Sequence, residues 1–185
     1  MPSRVPAAFR VEPLGRHHDR PGFSCGAAEL DDYLHRQASQ DQARKVAACH
    51  VAVDPEAPTR ILGYYTLSTY GIRLGKLPTE TTRRLPKYPL VPAALIGRLA
   101  VRSESQDQHL GEHLLMDALQ RILRLANEIA VHAVVVDARN QAAADFYARY
   151  DFQPFPSEPL RLFIPLDTVA RAFDAVLPEY PGGGS

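Results

Sequence analysis

Residues 103–119, SESQDQHLGEHLLMDAL, join a short polar run to a periodic apolar run, and Gly111 lies where the two meet. A helix that binds a phosphate at its N-terminus usually begins in this way, because its first backbone N–H groups have no acceptor within the helix. Asp107 and His109, however, stand where a phosphate-binding loop favours glycine. The stretch is therefore either an anion site or an ordinary helix start.

Basic side chains concentrate in a proline-rich stretch of a chain whose 21 basic and 21 acidic residues balance. The overall balance argues against a protein that coats nucleic acid or membrane by bulk attraction, but a local cluster can hold a phosphate backbone. An ordinary solvated loop is the alternative interpretation. The basic residues, opposed only by Glu80, are Arg73, Lys76, Arg83, Arg84, Lys87 and Arg98.

The cysteines and histidines show no spacing typical of a metal site. Cys25 and Cys49 form no CxxC pair, His17 and His18 lie together, and the other histidines are scattered over different segments. We expect no metal and no disulfide framework. Cys25 is expected to be a small packed residue at a helix entry rather than a nucleophile.

Periodicity predicts the elements that must position these residues, and their order is typical of an α/β sandwich with a mixed sheet. The continuous apolar run at 131–138 is typical of a strand covered on both faces, so the preceding strand, the long helix and this strand form a parallel unit. The predicted elements are an amphipathic helix from about residue 28, an antiparallel pair of strands at 46–54 and 60–74, an irregular excursion at 76–92, a strand at 93–101, a long helix from Leu110, a strand at 131–138, a short helix capped by Asn140, a strand at 159–166 and a closing helix.

The length of 185 residues and a composition of 45% hydrophobic and 23% charged residues indicate one globular domain, which we place at 1–180. The terminal PGGGS, residues 181–185, has the composition of a flexible linker and is expected to be a tail left by cloning. No apolar run approaches the roughly 20 residues of a membrane span, and the first residues lack the apolar segment of a secretory signal. We therefore expect a cytoplasmic protein without a membrane partner.

Four segments occur in this order along the chain: FSCGAAELDDYL, GYYTLS, IGRLAV and FYARYDFQP. With the surrounding stretches LIGRLAVRSESQDQHLGEHLL and DARNQAAADFYARYDFQPFP, they resemble the GNAT superfamily of acetyl-CoA-dependent N-acyltransferases. More narrowly, they resemble the acetyltransferase toxins of bacterial type II toxin–antitoxin modules. The resemblance covers roughly residues 10–170. It implies a single GNAT-like α/β domain with a mixed, mostly antiparallel sheet, a central parallel strand–helix–strand unit and flanking helices.

The resemblance also implies where acetyl-CoA would bind. The superfamily's pyrophosphate loop has Gln or Arg, two residues, Gly, one residue, then Gly or Ala, and this frame falls on Gln106, His109 and Gly111. One glycine is replaced, so we expect His109 to keep a negative φ and an outward side chain, and Asp107 to project into solvent. Asn140 contacts the cofactor arm, caps its helix, or does both. The implied cofactor-binding residues, with no metal ligand among them, are Leu99, Ala100, Val101, Gln106, Asp107, Gln108, His109, Leu110, Gly111, Glu112, Asn140 and Phe146.

Transfer of an acetyl group from a thioester to an amine needs a neutral amine, a placed carbonyl and an acid for the leaving thiolate. The resemblance places Tyr147 beside the cofactor sulfur as that acid, and a core aromatic is the alternative. No Glu or His stands out as a general base. An α-amine is roughly one-third neutral near pH 7.5, whereas a lysine is neutral only about one part in a thousand, so an α-amine acceptor is favoured.

Within that toxin family the implied activity is acetylation of the α-amino group of aminoacyl-tRNA with acetyl-CoA as co-substrate, which blocks translation. The implied partner is a small ribbon-helix-helix antitoxin, and a homodimer is considered because dimers are frequent among such proteins. Two alternatives stay open: a GNAT enzyme acting on a small amine or a protein N-terminus, and a catalytically silent module that binds an antitoxin. The basic residues assigned to tRNA are Arg36, Arg83, Arg84, Lys87 and Arg98.

Overall fold

The computed structural model describes residues 9–176, and the predicted tail at 181–185 lies outside this range. The seven strands of the described part form one sheet in the order β1-β2-β3-β4-β5-β7-β6. The sheet is mostly antiparallel, with one parallel pair belonging to the unit β4–α4–β5, as the sequence predicts. The strands are β1 Arg10–Pro13, β2 Ala48–Asp54, β3 Ala57–Arg73, β4 Leu90–Val101, β5 Ala133–Asp137, β6 Gln153–Phe155 and β7 Glu158–Pro165.

Six α-helices accompany the sheet in the described part of the chain. Among these residues no helix is both long enough and apolar enough to cross a membrane. The helices are α1 Ala28–Asp32, α2 Ala38–Ala43, α3 Thr79–Thr82, α4 Leu110–Leu125, α5 Gln141–Ala148 and α6 Leu166–Val176.

The chain divides into two compact units, and strands β3 and β4 run through both. The first unit comprises Met1–Thr69 and Leu95–Gln120. In it, β2 pairs with β1 on one side and with β3 on the other, both antiparallel. The buried faces of these strands enclose the core with Phe23 and with helical residues such as Leu34.

The first helical stretch differs from the regular amphipathic helix that the sequence predicts. A π-turn at Tyr33–Gln37 separates α1 from α2. Such a turn accommodates one extra residue, and here both Tyr33 and Leu34 are buried although they are adjacent. Both residues belong to the apolar stripe that the sequence predicts for this segment, so the π-turn changes the helix geometry but not the face that is buried.

The second unit comprises Tyr70–Ala94 and Arg121–Ser185. Strand β5 is apolar and buried over its first four residues, as predicted for a strand covered on both faces. It pairs antiparallel with β7, which also pairs antiparallel with β6. A 3₁₀ turn at Leu74–Lys76 follows β3, and the predicted excursion at 76–92 contains the short α3. The excursion is otherwise irregular but ends earlier than predicted, because β4 begins at Leu90.

Strands β1 and β6 were not predicted, so the sequence gives five of the seven strands of the described part. Each has at most four residues and contains a proline, Pro13 or Pro154, so neither offers the alternation over four to eight residues that identifies a strand. Both lie at the edges of the sheet, where proline is tolerated because one side of the strand makes no ladder hydrogen bonds.

Candidate functional site

The loop after β4 is a 3₁₀ turn over Ser103–Gln108, and α4 begins at Leu110. The helix starts with a hydrogen bond of 3.2 Å from the His113 N–H to the His109 carbonyl. The N–H groups of Leu110, Gly111 and Glu112 come before this bond, so helix geometry gives them no acceptor one turn back. They lie at the positive end of the helix dipole, which favours an anion.

His109 adopts a left-handed conformation, with φ 58° and ψ 14°, so the expectation of a negative φ is wrong. The residue ends the 3₁₀ turn directly before α4, a position where helices commonly need a left-handed residue and where glycine adopts it without strain. Its side chain is 83% exposed, as expected, with Nδ1 3.6 Å from a Glu112 carboxylate oxygen. The imidazole is thus mostly in solvent, beside the Glu112 carboxylate in the first turn of α4.

Two side chains tie this loop to its supports. The guanidinium of Arg102, a buried residue, donates from Nε to the Ile61 carbonyl at 2.7 Å and from Nη1 to the Gly22 carbonyl at 2.9 Å. Burial lowers the pKa of this guanidinium. Gln106 donates from Nε2 to the Cys25 carbonyl at 2.8 Å and to the Val101 carbonyl at 3.2 Å. Gln106 therefore braces the loop, and its assignment to the cofactor stays a prediction. Arg102 was missed because no spacing distinguishes it from a surface arginine.

The segment that Gln106 contacts is itself fixed by Asp31. The Asp31 carboxylate accepts from the Cys25 N–H at 2.8 Å and from the Ser24 hydroxyl at 2.9 Å. Burial alone would raise the pKa of this carboxyl, but these hydrogen bonds outweigh burial and lower it. Cys25 is buried, as the sequence predicts, and burial raises the pKa of its thiol to about 11. A thiol of that kind is a poor nucleophile at neutral pH.

The other predicted cofactor residues of the first unit lie in the loop after β4, at the end of β4 and at the start of α4. Asp107 is exposed, as expected for a carboxylate that must avoid phosphate. Ala100 and Leu110 are buried, while Leu99 and Val101 are half-buried at the end of β4. Only the backbone of this strand end is needed to pair with a ligand, so the burial of its side chains fits that use.

Tyr147 lies in the second unit, on the buried face of α5, and is 5% exposed. Its ring packs against those of Phe146 and Phe152, with centroid distances of 5.2 and 5.6 Å. Burial, together with the charge of Asp137, raises the pKa of the phenol. Tyr147 is thus a packed aromatic that also keeps its proton at neutral pH, as the predicted acid must.

Asn140 caps α5, as predicted, since its Oδ1 accepts from the Ala143 N–H at 2.9 Å. Phe146 is half-buried on the same helix. The hydrogen bond to Ala143 confirms the capping interpretation. Asn140 is exposed, and its contact with a cofactor stays a prediction.

An ion pair at the end of β5 was not foreseen. Arg161 on β7 donates from Nε and Nη2 to the two oxygens of Asp137, at 2.6 and 3.2 Å, and from Nη1 to the Tyr70 hydroxyl at 2.7 Å. The hydrogen bond to Asp137 raises the pKa of Arg161. The two residues face each other in the β5–β7 register, which no pattern in a single sequence specifies.

The structure distributes the predicted RNA-binding residues over both units. Arg83, Arg84 and Lys87 are exposed in the second unit, after α3. Arg36 is exposed in the first unit, 4.0 Å from Asp32. Arg98, also in the first unit, is half-buried, with its guanidinium carbon 3.6 Å from the centre of the Tyr33 ring.

One group of side chains in the described residues could hold a metal, although the sequence suggested none. Possible ligand atoms of Glu12, His17 and His18 lie within 4.8 Å of one another. However, Nδ1 of His18 accepts from the Gly15 N–H at 2.8 Å, so the proton of a neutral ring is on Nε2, which lies 2.9 Å from Glu12. A metal at Nε2 would need that proton on Nδ1 instead, so this arrangement is a hydrogen-bonded cluster.

The acetyltransferase (GNAT) family model matches residues 23–152. The chain belongs to this family. Among curated relatives of this GNAT protein, a Mycobacterium tuberculosis protein named "tRNA-acetylating toxin" is 34% identical over 79% of this chain and 85% of its own length. A Sinorhizobium fredii protein named "Probable toxin TacT" is 29% identical over 86% of this chain and 92% of its own.

Solved structures share the GNAT fold over nearly the whole chain. A mutant of KacT in which a tyrosine is replaced by phenylalanine has a TM-score of 0.84 at 26% identity, covering 89% of this chain and 99% of its own. The structure described as AtaTR bound with AcCoA has a TM-score of 0.79 at 25% identity, covering 89% and 98%.

Proposed function

We propose that this GNAT protein transfers the acetyl group of acetyl-CoA to the α-amino group of aminoacyl-tRNA and so acts as a toxin that blocks translation. The observation that carries the proposal is 34% identity, over 79% of the chain, to the protein named tRNA-acetylating toxin. The second relative, named a probable toxin, supports the toxic role. Since charged tRNA is cytoplasmic, the proposal places the activity in the cytoplasm.

The start of α4 fits the diphosphate of acetyl-CoA. The helix orients the N–H groups of Leu110, Gly111 and Glu112 as donors, and the side chains of Asp107 and His109 are exposed. The backbone of Leu99–Val101 would pair with the pantetheine arm and polarise the acetyl carbonyl. Acetyl-CoA supplies the activated acetyl thioester, and the chain supplies binding and orientation.

Tyr147 would donate a hydrogen bond or a proton to the departing sulfur. The raised pKa keeps the phenol neutral at physiological pH, so the donor is present in nearly every molecule. A phenol with a raised pKa is also a weak acid, so it gives up its proton only as negative charge develops on the sulfur. This assigns to Tyr147 stabilisation of the leaving group rather than deprotonation of the amine.

The acceptor that suits this chemistry is an α-amine, which is partly neutral at physiological pH without a strong base. The exposed residues Arg83, Arg84 and Lys87 supply positive charge for the phosphates of its RNA carrier. Arg36 adds an exposed charge in the first unit.

A toxin of this kind requires a neutralising protein, and we extend the proposal to a ribbon-helix-helix antitoxin. The toxin names of the two relatives support an antitoxin in general. We also propose that the protein forms a homodimer. Size-exclusion chromatography with light scattering tests the oligomeric state.

The decisive assay incubates the purified protein with acetyl-CoA labelled in the acetyl group and with charged tRNA. Label should appear on the aminoacyl moiety, and the Tyr147→Phe variant should transfer it at least tenfold more slowly because the donor to sulfur is lost. Deacylated tRNA and tRNA whose α-amine is already blocked are the controls. Equal labelling of small amines or peptide N-termini without RNA would assign a different acceptor.

A further inference from the structure

Arg98 differs from the other basic residues assigned to RNA because the protein holds it in one place. Its guanidinium carbon lies 3.6 Å from the centre of the Tyr33 ring, and the residue is half-buried. A planar guanidinium stacked on a ring loses little further freedom when it binds an anion. The exposed Arg36, by contrast, has only a 4.0 Å approach to Asp32 and stays free to move.

The ring beneath Arg98 is fixed in turn. Tyr33 is 3% exposed, and its hydroxyl donates to an Asp41 carboxylate oxygen at 3.0 Å. The ring also stacks on that of Tyr64, with the two planes 18° apart. The ring belongs to the buried core of the first unit together with Leu34 and Tyr64, so its position depends on the packing of that core.

The guanidinium of Arg98 makes no hydrogen bond or ion pair with the residues that the structure describes and lies over the Tyr33 ring. By contrast, Arg102 donates to two carbonyls and Arg161 donates to a carboxylate. A half-buried guanidinium with five donors facing no acceptor is suited to an external planar or tetrahedral anion.

The position of Arg98 along β4 favours a phosphate of the acceptor over the diphosphate of the coenzyme. Strand residues rise about 3.3 Å each, so Arg98 lies roughly 3 Å from Leu99 and about 10 Å from Val101, where the strand ends. The diphosphate loop follows beyond Val101. A coenzyme with its diphosphate at the loop and its arm along Leu99–Val101 would therefore carry its thioester toward the Arg98 end of this segment, where the acceptor amine must approach.

We infer that Arg98, stacked on Tyr33, binds a phosphodiester at the 3′ end of the acceptor RNA and thereby places the esterified amino acid beside Leu99. Tyr33 is a positioning residue for Arg98, and Asp41 fixes the Tyr33 hydroxyl. This inference rests on the proposed function, because it requires an RNA acceptor. The coenzyme carries the same phosphate chemistry, and the test separates the two sources.

The test measures steady-state kinetics with charged tRNA, and the dissociation constant of acetyl-CoA, for Arg98→Met and Arg98→Lys. Both should raise KM for charged tRNA by roughly ten- to one-hundredfold, since lysine keeps the charge but loses the planar fork. The acetyl-CoA dissociation constant should change by less than about twofold, because its phosphates bind elsewhere. In Arg98→Met the slope of log affinity for tRNA against log salt should fall by about 0.7, the value for one single-strand phosphate.

Tyr33→Phe and Tyr33→Leu test the positioning role. Phenylalanine keeps the ring under Arg98 but loses the hydrogen bond to Asp41, so it should raise KM for charged tRNA much less than leucine does. Leucine removes the aromatic face and should raise KM as Arg98→Met does. Arg171→Ala, which removes an exposed arginine of α6, is the matched control and should change neither constant. Urea unfolding of each variant establishes that it is folded.

Three results would overturn the inference. An unchanged KM for tRNA and an unchanged salt slope in Arg98→Met would make the stack purely structural. A loss of acetyl-CoA affinity in the same variant would assign the phosphate to the coenzyme. An effect of Tyr33→Phe equal to that of Tyr33→Leu would remove the role of the ring. Failure of the wild-type protein to acetylate charged tRNA would instead overturn the proposed function, so the two failures are distinguishable.

Discussion

Replacing His109 by glycine and by alanine measures the left-handed conformation at the start of the candidate coenzyme site. A residue with a Cβ at φ 58° carries roughly 1–2 kcal/mol of strain that glycine does not. Glycine loses about 0.5–1 kcal/mol through the greater freedom of the unfolded chain. The free energy of unfolding of His109→Gly should therefore exceed that of His109→Ala by about 1 kcal/mol.

Urea unfolding followed by circular dichroism gives both values, and the difference between the two variants cancels the loss of the exposed His109–Glu112 contact. Because the imidazole lies in solvent, both variants should also bind acetyl-CoA within about threefold of wild type. An alanine variant at least as stable as the glycine variant would refute the left-handed geometry. A large loss of acetyl-CoA affinity in the glycine variant would show that the ring itself binds the coenzyme.

Three further predictions concern the assigned acid, the basic loop and the arginine that braces the loop after β4. Tyr147→Phe should abolish most of the growth arrest that the wild-type protein causes on expression, and should leave acetyl-CoA affinity unchanged. Equal growth arrest by the wild type and the variant would show that Tyr147 is not the acid. Replacing Arg83 and Arg84 by glutamate should abolish acetylation of charged tRNA and leave coenzyme affinity, measured by calorimetry, intact. Retained acetylation would show that these two arginines do not bind the RNA. Arg102→Met leaves two carbonyls without their donor and should lower the free energy of unfolding by about 3 kcal/mol in a urea titration, whereas a change below about 1 kcal/mol would contradict its bracing role.

The pH dependence of stability provides a fifth prediction, and the buried thiol of Cys25 sets its sign. Burial raises the pKa of this thiol from 9.0 to about 11. Between these values the unfolded chain releases the proton and the folded chain keeps it, so the free energy of unfolding should fall as pH rises through this range. Urea unfolding at about pH 8 and about pH 10.5 checks the fall, which should shrink in Cys25→Ala; an equal fall in that variant would assign it to other groups.

The sequence predicts the central part of the fold because periodicity there is strong. The four buried residues of β5 and the apolar stripe of α4 each extend over a whole element, so burial on both faces or on one face can be inferred from the pattern. The edge strands were missed because four residues containing Pro13, or three containing Pro154, carry too little pattern.

The candidate site was predicted in part because its motifs are local, whereas its supports depend on residues far apart in the chain. The Asn140 cap and the exposure of Asp107 follow from neighbouring residues, and both were predicted. The contacts of Arg102 with Gly22 and Ile61 join segments 80 and 41 residues away, and no single sequence contains that information. The conformation of His109 was wrongly predicted because a residue with a Cβ was expected to keep a negative φ, whereas the backbone between the 3₁₀ turn and α4 is left-handed at this position.

Binding of acetyl-CoA to the purified protein, measured by isothermal titration calorimetry, tests the central claim most directly. The amide groups at the start of α4 should bind the coenzyme's diphosphate although His109 replaces a glycine, so we expect a dissociation constant well below about 1 mM. Absence of binding heat at millimolar acetyl-CoA, with the protein shown to be folded, would contradict it.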